Sequence, residues 1–143
     1  MVNVSGKSES RRLAVASGRI ILSQDAFELV IGKHSTHPEP VLNQTLAKAR
    51  AKGDVLTVAQ LAGIMASKAT SSLIPLCHPL AITHVHVKLE PEPATLSVKC
   101  SATVECTGKT GVEMEALTAV SVSLLTVWDM VKAVAGKEMI VCV

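Results

Sequence analysis

A strict alternation of apolar and polar residues runs from position 94 to 106, and no other feature constrains the fold of this 143-residue chain as strongly. The apolar series is Leu96, Val98, Cys100, Ala102, Val104 and Cys106. Successive side chains of a strand point to opposite faces of a sheet, so this pattern predicts a strand with one buried and one polar face. Residues 81–89 show the same period, and the linking sequence Glu90-Pro91-Glu92-Pro93 predicts an antiparallel hairpin.

The remaining segments predict two more strands and the helices that cover the sheet. Residues 11–23 predict a first strand, bulged at Gly18. Helices are predicted over 24–31, over 42–50, from about 54 to about 71 and over 112–134, and a last strand fits 138–143. The order β-α-(α)-β-β-α-β predicts an α+β, ferredoxin-like fold with an antiparallel sheet and its helices on one face. The length predicts a single domain over residues 1–143.

Composition excludes several classes of partner. The chain has one Phe, one Trp and no Tyr, which argues against a surface that stacks single-stranded nucleic acid. Its 14 basic and 12 acidic residues are too balanced for a general polyanion binder. No apolar run approaches the ~18 residues of a membrane span, and the first residues do not resemble a signal peptide. We therefore expect neither a nucleic-acid nor a membrane partner.

The cysteines indicate the compartment. They stand at positions 77, 100, 106 and 142 and form no CxxC pair. This usage predicts reduced thiols in a reducing compartment. We therefore expect a cytoplasmic protein, or a protein of the mitochondrial matrix if a transit peptide has been removed.

Two segments could bind a small molecule. In Leu76-Cys77-His78-Pro79 the histidine is either incidental to a turn or a positioned acid, base or phosphate donor. In Gly111-Val112-Glu113-Met114-Glu115 the acids either complement a helix dipole or bind the N–H edge of a guanine ring. The loop over 107–111 before that helix resembles an anion cradle, although it lacks the spacing of a P-loop.

Two further groups of charges could carry chemistry. Asp129 and Lys132 stand at i and i+3 near the end of the long helix. They are either a surface pair or, next to a buried Trp128, a carboxylate with a lysine whose pKa is lowered for proton transfer. Lys52 ends a basic group that is either a solvated helix end or a phosphate-binding element.

Two pairs of histidines could contribute to a metal site, but the sequence does not show a complete set of ligands. His84 and His86 share one face of a predicted strand, and His34 and His37 share a loop. Two imidazoles can share a metal, but no third ligand can be identified from spacing. We therefore predict no metal and no cofactor.

The segments that carry these residues, taken together and in order, resemble the MoaC family, the cyclic pyranopterin monophosphate synthases of molybdenum cofactor biosynthesis. The matching segments are Lys52-Gly53-Asp54-Val55, Ala62-Gly63-Ile64, Leu73-Ile74-Pro75-Leu76-Cys77-His78-Pro79-Leu80, Thr107-Gly108-Lys109-Thr110-Gly111-Val112-Glu113-Met114-Glu115-Ala116-Leu117-Thr118 and Asp129-Met130-Val131-Lys132-Ala133-Val134. The resemblance covers nearly the whole chain, and the two longer segments are specific.

The resemblance implies a function and a set of site residues. The family converts 3′,8-cyclo-7,8-dihydroguanosine triphosphate to cyclic pyranopterin monophosphate and pyrophosphate, as a lyase. It implies a homohexamer built as a trimer of dimers, with sites at the dimer interface and no cofactor. Asp129 and Lys132 match catalytic positions and Lys52 an assisting one. The positions that match the substrate pocket are Leu76, Cys77, His78, Glu113, Met114, Glu115, Lys68 and Arg12.

Three departures from the family pattern affect these expectations. Family members usually continue beyond the last strand into a Gly- and Lys-rich tail with a pocket lysine, whereas this sequence ends at Val143. The stretch from His34 to Ala51 is longer than usual, and Asn3 stands where an aspartate is common. Three other classes compete with the synthase: a nucleotide-sensing module, an RNA-binding ferredoxin-like domain and a metal-dependent hydrolase.

The long helix also predicts how a site is assembled. Glu115 and Asp129 are 14 residues apart on it, which corresponds to roughly 21 Å along a helix axis. A single nucleotide is too small to be enclosed by both side chains of one straight helix. We therefore predict that Glu115 of one chain and Asp129 of another meet across a two-fold axis.

Overall fold

The computed structural model describes residues 1–33, 40–136 and 139–143. Its strands are β1 (Ser10–Ile21), β2 (Ile82–Glu92), β3 (Ser97–Gly108) and β4 (Ile140–Cys142). They form one antiparallel sheet in the order β2-β3-β1-β4. The helices are α1 (Gln24–Val30), α2 (Pro40–Arg50), α3 (Val55–Lys68), α4 (Thr70–Leu73) and α5 (Glu113–Val131). The predicted α+β class with an antiparallel sheet is confirmed.

The core lies between one face of the sheet and the two long helices, α3 and α5. The predicted apolar series of β3 forms the sheet side of this core, since Val98, Cys100, Ala102 and Val104 are fully buried. Helix α5 packs against β1 and β3, and α3 packs against β2 and α5. The buried positions of β3 alternate along the strand. This alternation shows that the helices cover one face of the sheet and leave the other open.

Helix α5 is long and apolar enough to cross a membrane by length and composition alone. Its most apolar window is 56% buried within the protein. Val120, Leu124 and Val127 have no exposed surface. Burial of this kind is typical of the central helix of a packed domain, and here α5 has that place.

Gly63 allows α3 and α5 to approach closely. A Cβ atom at this position would lie 2.8 Å from the Ala119 carbonyl oxygen and would also collide with the Ser123 hydroxyl. The start of α3 meets the opposite end of α5, where Lys52 contacts Asp129. The two helices are therefore antiparallel, and Lys68 at the end of α3 lies toward the beginning of α5.

Most element boundaries agree with the sequence prediction. Ser23 caps α1 by accepting a hydrogen bond from the Ala26 N–H at 3.4 Å, and Asp54 caps α3 by accepting one from the Thr57 N–H at 2.6 Å. The predicted helix over 54–71 is interrupted at Ala69 and continues as the short α4. Helix α2 begins at Pro40, two residues before the predicted start at 42. His34 and His37 lie outside the described residues.

The position of the sheet irregularity was predicted wrongly. Strand β1 pairs with β3 without interruption from Ser10 to Ile21, so Gly18 is not a bulge. Gly18 is required because a Cβ atom there would lie 2.5 Å from the Cys142 carbonyl oxygen. The bulge lies in β2 between Ile82 and His84. Uninterrupted alternation would place Ile82 on the face of His84 and His86, but Ile82 packs against the core.

Two other details differ from the prediction. The hairpin turn is Pro93–Thr95 followed by Leu96 in the left-handed region, at φ 48°, whereas Pro91 and Glu92 remain within β2. The open face of the sheet is also less polar than predicted. Leu13 is 54% exposed and Val15 is 64% exposed on that face, because the outward positions of β1 are partly apolar.

Candidate active site

A pocket of about 330 Å³ lies at the N-terminal end of α5. Three segments build it: the connector after α4, the start of α5 with the loop before it, and the first residues of the chain. Six of the predicted substrate residues line this one pocket, namely Leu76, Cys77, His78, Glu113, Met114 and Glu115. The structure therefore brings together two motifs that are separated by more than 30 positions in the sequence.

Glu115 is a buried carboxylate at the base of the pocket. Its residue surface is 4% exposed. Burial raises the pKa of the Glu115 carboxyl, the neighbouring Glu113 carboxylate raises it further, and its own backbone N–H lowers it. A carboxylate that is costly to ionise gains most from a ligand that donates hydrogen bonds to it. Glu115 is therefore suited to accept N–H groups from a heterocyclic ring.

Glu113 folds back over the loop before α5. Its two carboxylate oxygens lie directly against Gly111, at the place where any side chain on that glycine would stand. No side chain caps the start of α5 with a hydrogen bond. The expected anion cradle over 107–111 is thus covered by a negative charge, which disfavours a phosphate against the helix end.

The connector that carries Cys77 and His78 is held in a turn. The Cys77 N–H donates to the Ile74 carbonyl at 3.1 Å, and both Cys77 and His78 are half-buried. Leu76 is 72% exposed at the rim of the pocket. The flanking prolines restrict the backbone, so the imidazole is presented to the pocket from a fixed segment.

Arg12 and Lys68 lie around this pocket without lining it. Arg12 is half-buried on β1, and its Nε donates to the Gly108 carbonyl at 3.3 Å. It lies close enough to Cys106 to lower the pKa of that thiol, against the larger effects of burial and of Glu115, which raise it. Lys68 is exposed at the end of α3, at the same end of the α3–α5 pair as the pocket.

A second cluster lies at the other end of α5. The Lys132 ammonium donates to Asp129 Oδ1 at 2.5 Å. The Lys52 ammonium donates to the Asp129 carbonyl oxygen at 2.9 Å and lies 3.7 Å from Oδ2. The hydrogen bond and charge of Lys132 lower the pKa of the Asp129 carboxyl, and Lys52 lowers it further. We call Asp129, Lys132 and Lys52 the charge cluster.

The charge cluster is more exposed than the sequence suggested. The side chains of Asp129, Lys132 and Lys52 are 61%, 54% and 43% exposed. Trp128 is only half-buried, although its neighbours Val127 and Val131 are fully buried. The expected desolvation of Lys132 is therefore absent from a single chain.

The pocket and the charge cluster are far apart in one chain. Glu115 and Asp129 belong to the same uninterrupted helix, and their separation of 14 residues corresponds to roughly 21 Å. The two groups differ in their charges. The pocket lining includes the carboxylates of Glu113 and Glu115 and one ammonium, that of Lys7, whereas the cluster joins two ammonium groups to one carboxylate.

Metal ligation gains no support within the described part of the chain. There, no group of three or more His, Cys, Asp or Glu side chains is placed to hold a metal ion. His84 lies opposite Glu105 on the open face of the sheet, and Glu105 pairs with Arg11 at 2.7 Å. This carboxylate is therefore engaged by a guanidinium.

The sequence analysis missed one wall of the pocket. Val2, Val4 and Lys7 line it from the N-terminal segment. Lys109 holds this segment, since its ammonium donates to the Ser5 carbonyl at 3.1 Å. The segment precedes the first strand and has no periodic pattern, so only its proximity in the fold reveals it.

The chain matches one family model and is similar to several named proteins. The family model described as "MoaC family" matches residues 1–143. The chain is 51% identical over 138 residues to a protein of Arabidopsis thaliana named cyclic pyranopterin monophosphate synthase, mitochondrial. It is 50% identical over 134 residues to a Clostridium botulinum protein and 46% identical over 134 residues to a Chloroflexus aggregans protein, both named cyclic pyranopterin monophosphate synthase.

These matches cover 94% to 96% of this chain. The chain spans 45% of the length of the Arabidopsis protein, and 75% and 72% of the two bacterial proteins. The matched region contains the pocket and the charge cluster, because the family model extends over both ends of α5. The chain belongs to the MoaC family.

Proposed function

We propose that this protein converts 3′,8-cyclo-7,8-dihydroguanosine triphosphate to cyclic pyranopterin monophosphate and releases pyrophosphate. The names of its relatives support the reaction. The observation that carries the proposal is the gathering of two distant motifs, around His78 and around Glu115, into one pocket. A binding pocket with two carboxylates suits a guanine-derived ring, whose edge carries several N–H donors.

Glu113 and Glu115 bind the base in this proposal. Carboxylates accept hydrogen bonds from ring N–H and amino groups, and such charge-assisted bonds are the stronger kind. Burial of Glu115 makes an unpaired charge there costly. A bound ring that donates hydrogen bonds to the carboxylate removes that cost. The pocket therefore favours a ligand with neighbouring N–H donors.

Asp129, Lys132 and Lys52 carry out proton transfer in this proposal. The reaction rebuilds a purine-derived ring while a ribose hydroxyl attacks the α-phosphorus. The new phosphorus–oxygen bond forms as the bond to pyrophosphate breaks, and the hydroxyl proton passes to a base. The ion pairs of Asp129 hold both ammonium groups within 3.7 Å of its oxygens, which places donors and acceptors in one cluster. The lysines also supply positive charge for the departing pyrophosphate.

The complete site requires two subunits in this proposal. The pocket of one chain and the charge cluster of another meet across a two-fold axis, and three such dimers form a hexamer. Support comes from the length of α5, which separates the groups within a chain, and from the exposure of the cluster. Covering by a partner would supply the desolvation that Lys132 lacks in a single chain.

The experiment is to add the cyclised nucleotide to the purified protein and to measure pyrophosphate. Stoichiometric formation of pyrophosphate and cyclic pyranopterin monophosphate supports the synthase. Binding without pyrophosphate release would indicate a nucleotide-sensing module instead. Loss of activity in EDTA that only zinc restores would indicate a metal-dependent hydrolase.

A further inference from the structure

We propose that a second cavity, behind the turn that carries Lys52, binds a small carboxylate with an apolar chain. This cavity has a volume of about 490 Å³. It lies between the end of α1, the turn from α2 to α3 and strand β2. We call it the Arg50 cavity, and the lining residues that matter for the ligand are Leu29, Val30, Arg50, Val55, Leu56 and Pro91.

The Arg50 cavity is separate from the pocket at the start of α5. The two share no lining residue, and the Arg50 cavity is the larger, at about 490 Å³ against about 330 Å³. Small-molecule sites have volumes in this range and combine apolar walls with a few placed polar groups. A ligand in the Arg50 cavity therefore need not displace one in the pocket.

The walls of the Arg50 cavity are largely apolar. Leu29 and Val30 come from α1, Val55 and Leu56 from the first turn of α3, and Pro91 from β2. Leu29, Val30 and Val55 are at most 7% exposed, so the core holds their side chains in place. An aliphatic chain that enters this preformed space removes its own apolar surface from water.

One cation stands beside these apolar walls. Arg50 is the last residue of α2 and is half-buried, and its Nη2 donates to the Lys33 carbonyl oxygen at 3.3 Å. Within the part of the chain that the structure describes, no carboxylate forms an ion pair with Arg50. A guanidinium has five N–H donors, and two of them can bind one carboxylate in parallel. Arg50 therefore has donors left for a ligand.

Asp54 limits the charge of that ligand. Its carboxylate lines the same cavity and accepts a hydrogen bond from the Thr57 N–H at 2.6 Å. The side-chain and backbone hydrogen bonds of Thr57 lower the pKa of the Asp54 carboxyl, so this group is negative at neutral pH. A phosphate dianion would be repelled by Asp54 more strongly than a single carboxylate would. The charges thus favour a monocarboxylate bound to Arg50.

The Arg50 cavity also borders the segment that places Lys52. The Lys52 N–H donates to the Ala49 carbonyl, and the Gly53 N–H donates to the Arg50 carbonyl at 3.0 Å. Gly53 lines the cavity with φ 101°, a conformation that favours glycine. A ligand on Arg50 therefore contacts the turn from which Lys52 reaches Asp129.

The test uses hexanoate, hexan-1-ol and acetate as probes. Hexan-1-ol keeps the chain without the charge, and acetate keeps the charge without most of the chain. Binding is followed by NMR titration of methyl signals at constant ionic strength, in the wild type, Arg50→Gln, Arg50→Lys and the control Lys48→Gln. Lys48 is a suitable control because it is exposed on the same helix and does not line the cavity. Thermal unfolding verifies that each variant is folded.

We expect the wild type to bind hexanoate more tightly than either other probe. Arg50→Gln should weaken hexanoate about 10-fold, since charge-assisted hydrogen bonds are lost, and should leave hexan-1-ol unchanged. Arg50→Lys should restore part of the affinity, because an ammonium keeps the charge without the planar fork. Lys48→Gln should match the wild type.

The methyl signals also locate the ligand. Those of Leu29, Val30 and Val55 should shift with hexanoate, whereas that of Met114, in the pocket at the start of α5, should not. Shifts centred on Met114, or no saturable shift at all, would overturn the proposal. Equal affinity of hexanoate for the wild type and Arg50→Gln, or equal affinity of hexanoate and hexan-1-ol for the wild type, would also overturn it. None of these measurements depends on release of pyrophosphate, so failure of the proposed function would leave their outcome unchanged.

Discussion

The two ends of helix α5 carry carboxylates in opposite environments. Glu115, in its first turn, is buried among pocket residues, and burial raises its pKa. Asp129, near its last turn, is 61% exposed, and the adjacent Lys132 and Lys52 lower its pKa. The Glu115 carboxylate is a hydrogen-bond acceptor that needs a ligand as its donor. The Asp129 carboxylate already has lysine ammonium groups as donors. One helix therefore carries a buried carboxylate at one end and an exposed ion-paired carboxylate at the other.

The difference supports the proposal that one chain holds an incomplete site. The pocket offers two carboxylates, whereas the two lysines proposed to stabilise a departing pyrophosphate lie at the other end of α5. An exposed ion cluster has cations, but water screens them. Antiparallel pairing of two α5 helices would join the two ends.

The largest expected effect is at the charge cluster. Lys132→Ala should reduce pyrophosphate release by about 10²- to 10⁴-fold, since it removes a proton-transfer group. The free energy of unfolding should change by less than about 0.5 kcal/mol, because exposed ion pairs contribute little.

Steady-state kinetics and thermal unfolding measure the two effects, with Lys88→Ala as the control for loss of an exposed, ion-paired lysine. Near-normal turnover of Lys132→Ala at saturating substrate would remove the charge cluster from the site. A large loss of stability would show that the pair with Asp129 is structural.

The next effect concerns the close contact between α3 and α5 at Gly63. Gly63→Ala should destabilise the fold by about 1–3 kcal/mol, because its Cβ would collide with the Ala119 carbonyl and the Ser123 hydroxyl. Gly6→Ala is the matched control, since nothing lies within 4 Å of a Cβ at that position. Urea unfolding of both variants provides the measurement. Equal stability of the two would contradict the close approach of α3 and α5.

The smallest effect is the pH dependence of Glu115. Its pKa is raised in the folded state, so its contribution to stability is fully present below its unfolded pKa and is lost as pH rises through the folded pKa. Glu115→Gln should therefore melt a few degrees higher than the wild type at pH 7, and this gain should disappear toward pH 4.

The same substitution should weaken substrate binding, because the carboxylate acceptor is lost. Thermal unfolding between pH 4 and pH 7 follows the gain in stability. A gain that is constant across this range would show that burial of the charge is not its cause.

Much of the fold was predictable from local patterns. The alternation on β3 predicted its buried face, and the helices predicted to begin at 24 and at about 54 begin at Gln24 and Val55. The bulge in β2 was not predictable, since a local pattern does not reveal where the pairing of two strands slips by one residue. The exposure of two apolar side chains on the open face, Leu13 and Val15, was also not predictable from the local pattern.

The candidate site was predictable in part, for a physical reason. Its residues lie in short motifs with defined chemistry, and the family resemblance joined them. The sequence did not reveal that Glu113 covers Gly111 or that Lys7 stands on the pocket wall, because both depend on tertiary contacts. The exposure of Lys132 was also not predicted, since residue spacing does not show which side chains at the end of α5 other segments cover.

In our proposal, one active site combines Glu115 of one chain with Asp129 of its partner. The direct test mixes inactive Glu115→Ala and Asp129→Ala proteins after dissociation and reassembly, with subunit exchange verified by mass spectrometry. Half of randomly formed dimers are then mixed, and each mixed dimer has one intact and one doubly damaged site. The account predicts recovery of about one quarter of wild-type activity. No recovery, despite proven exchange, would contradict it.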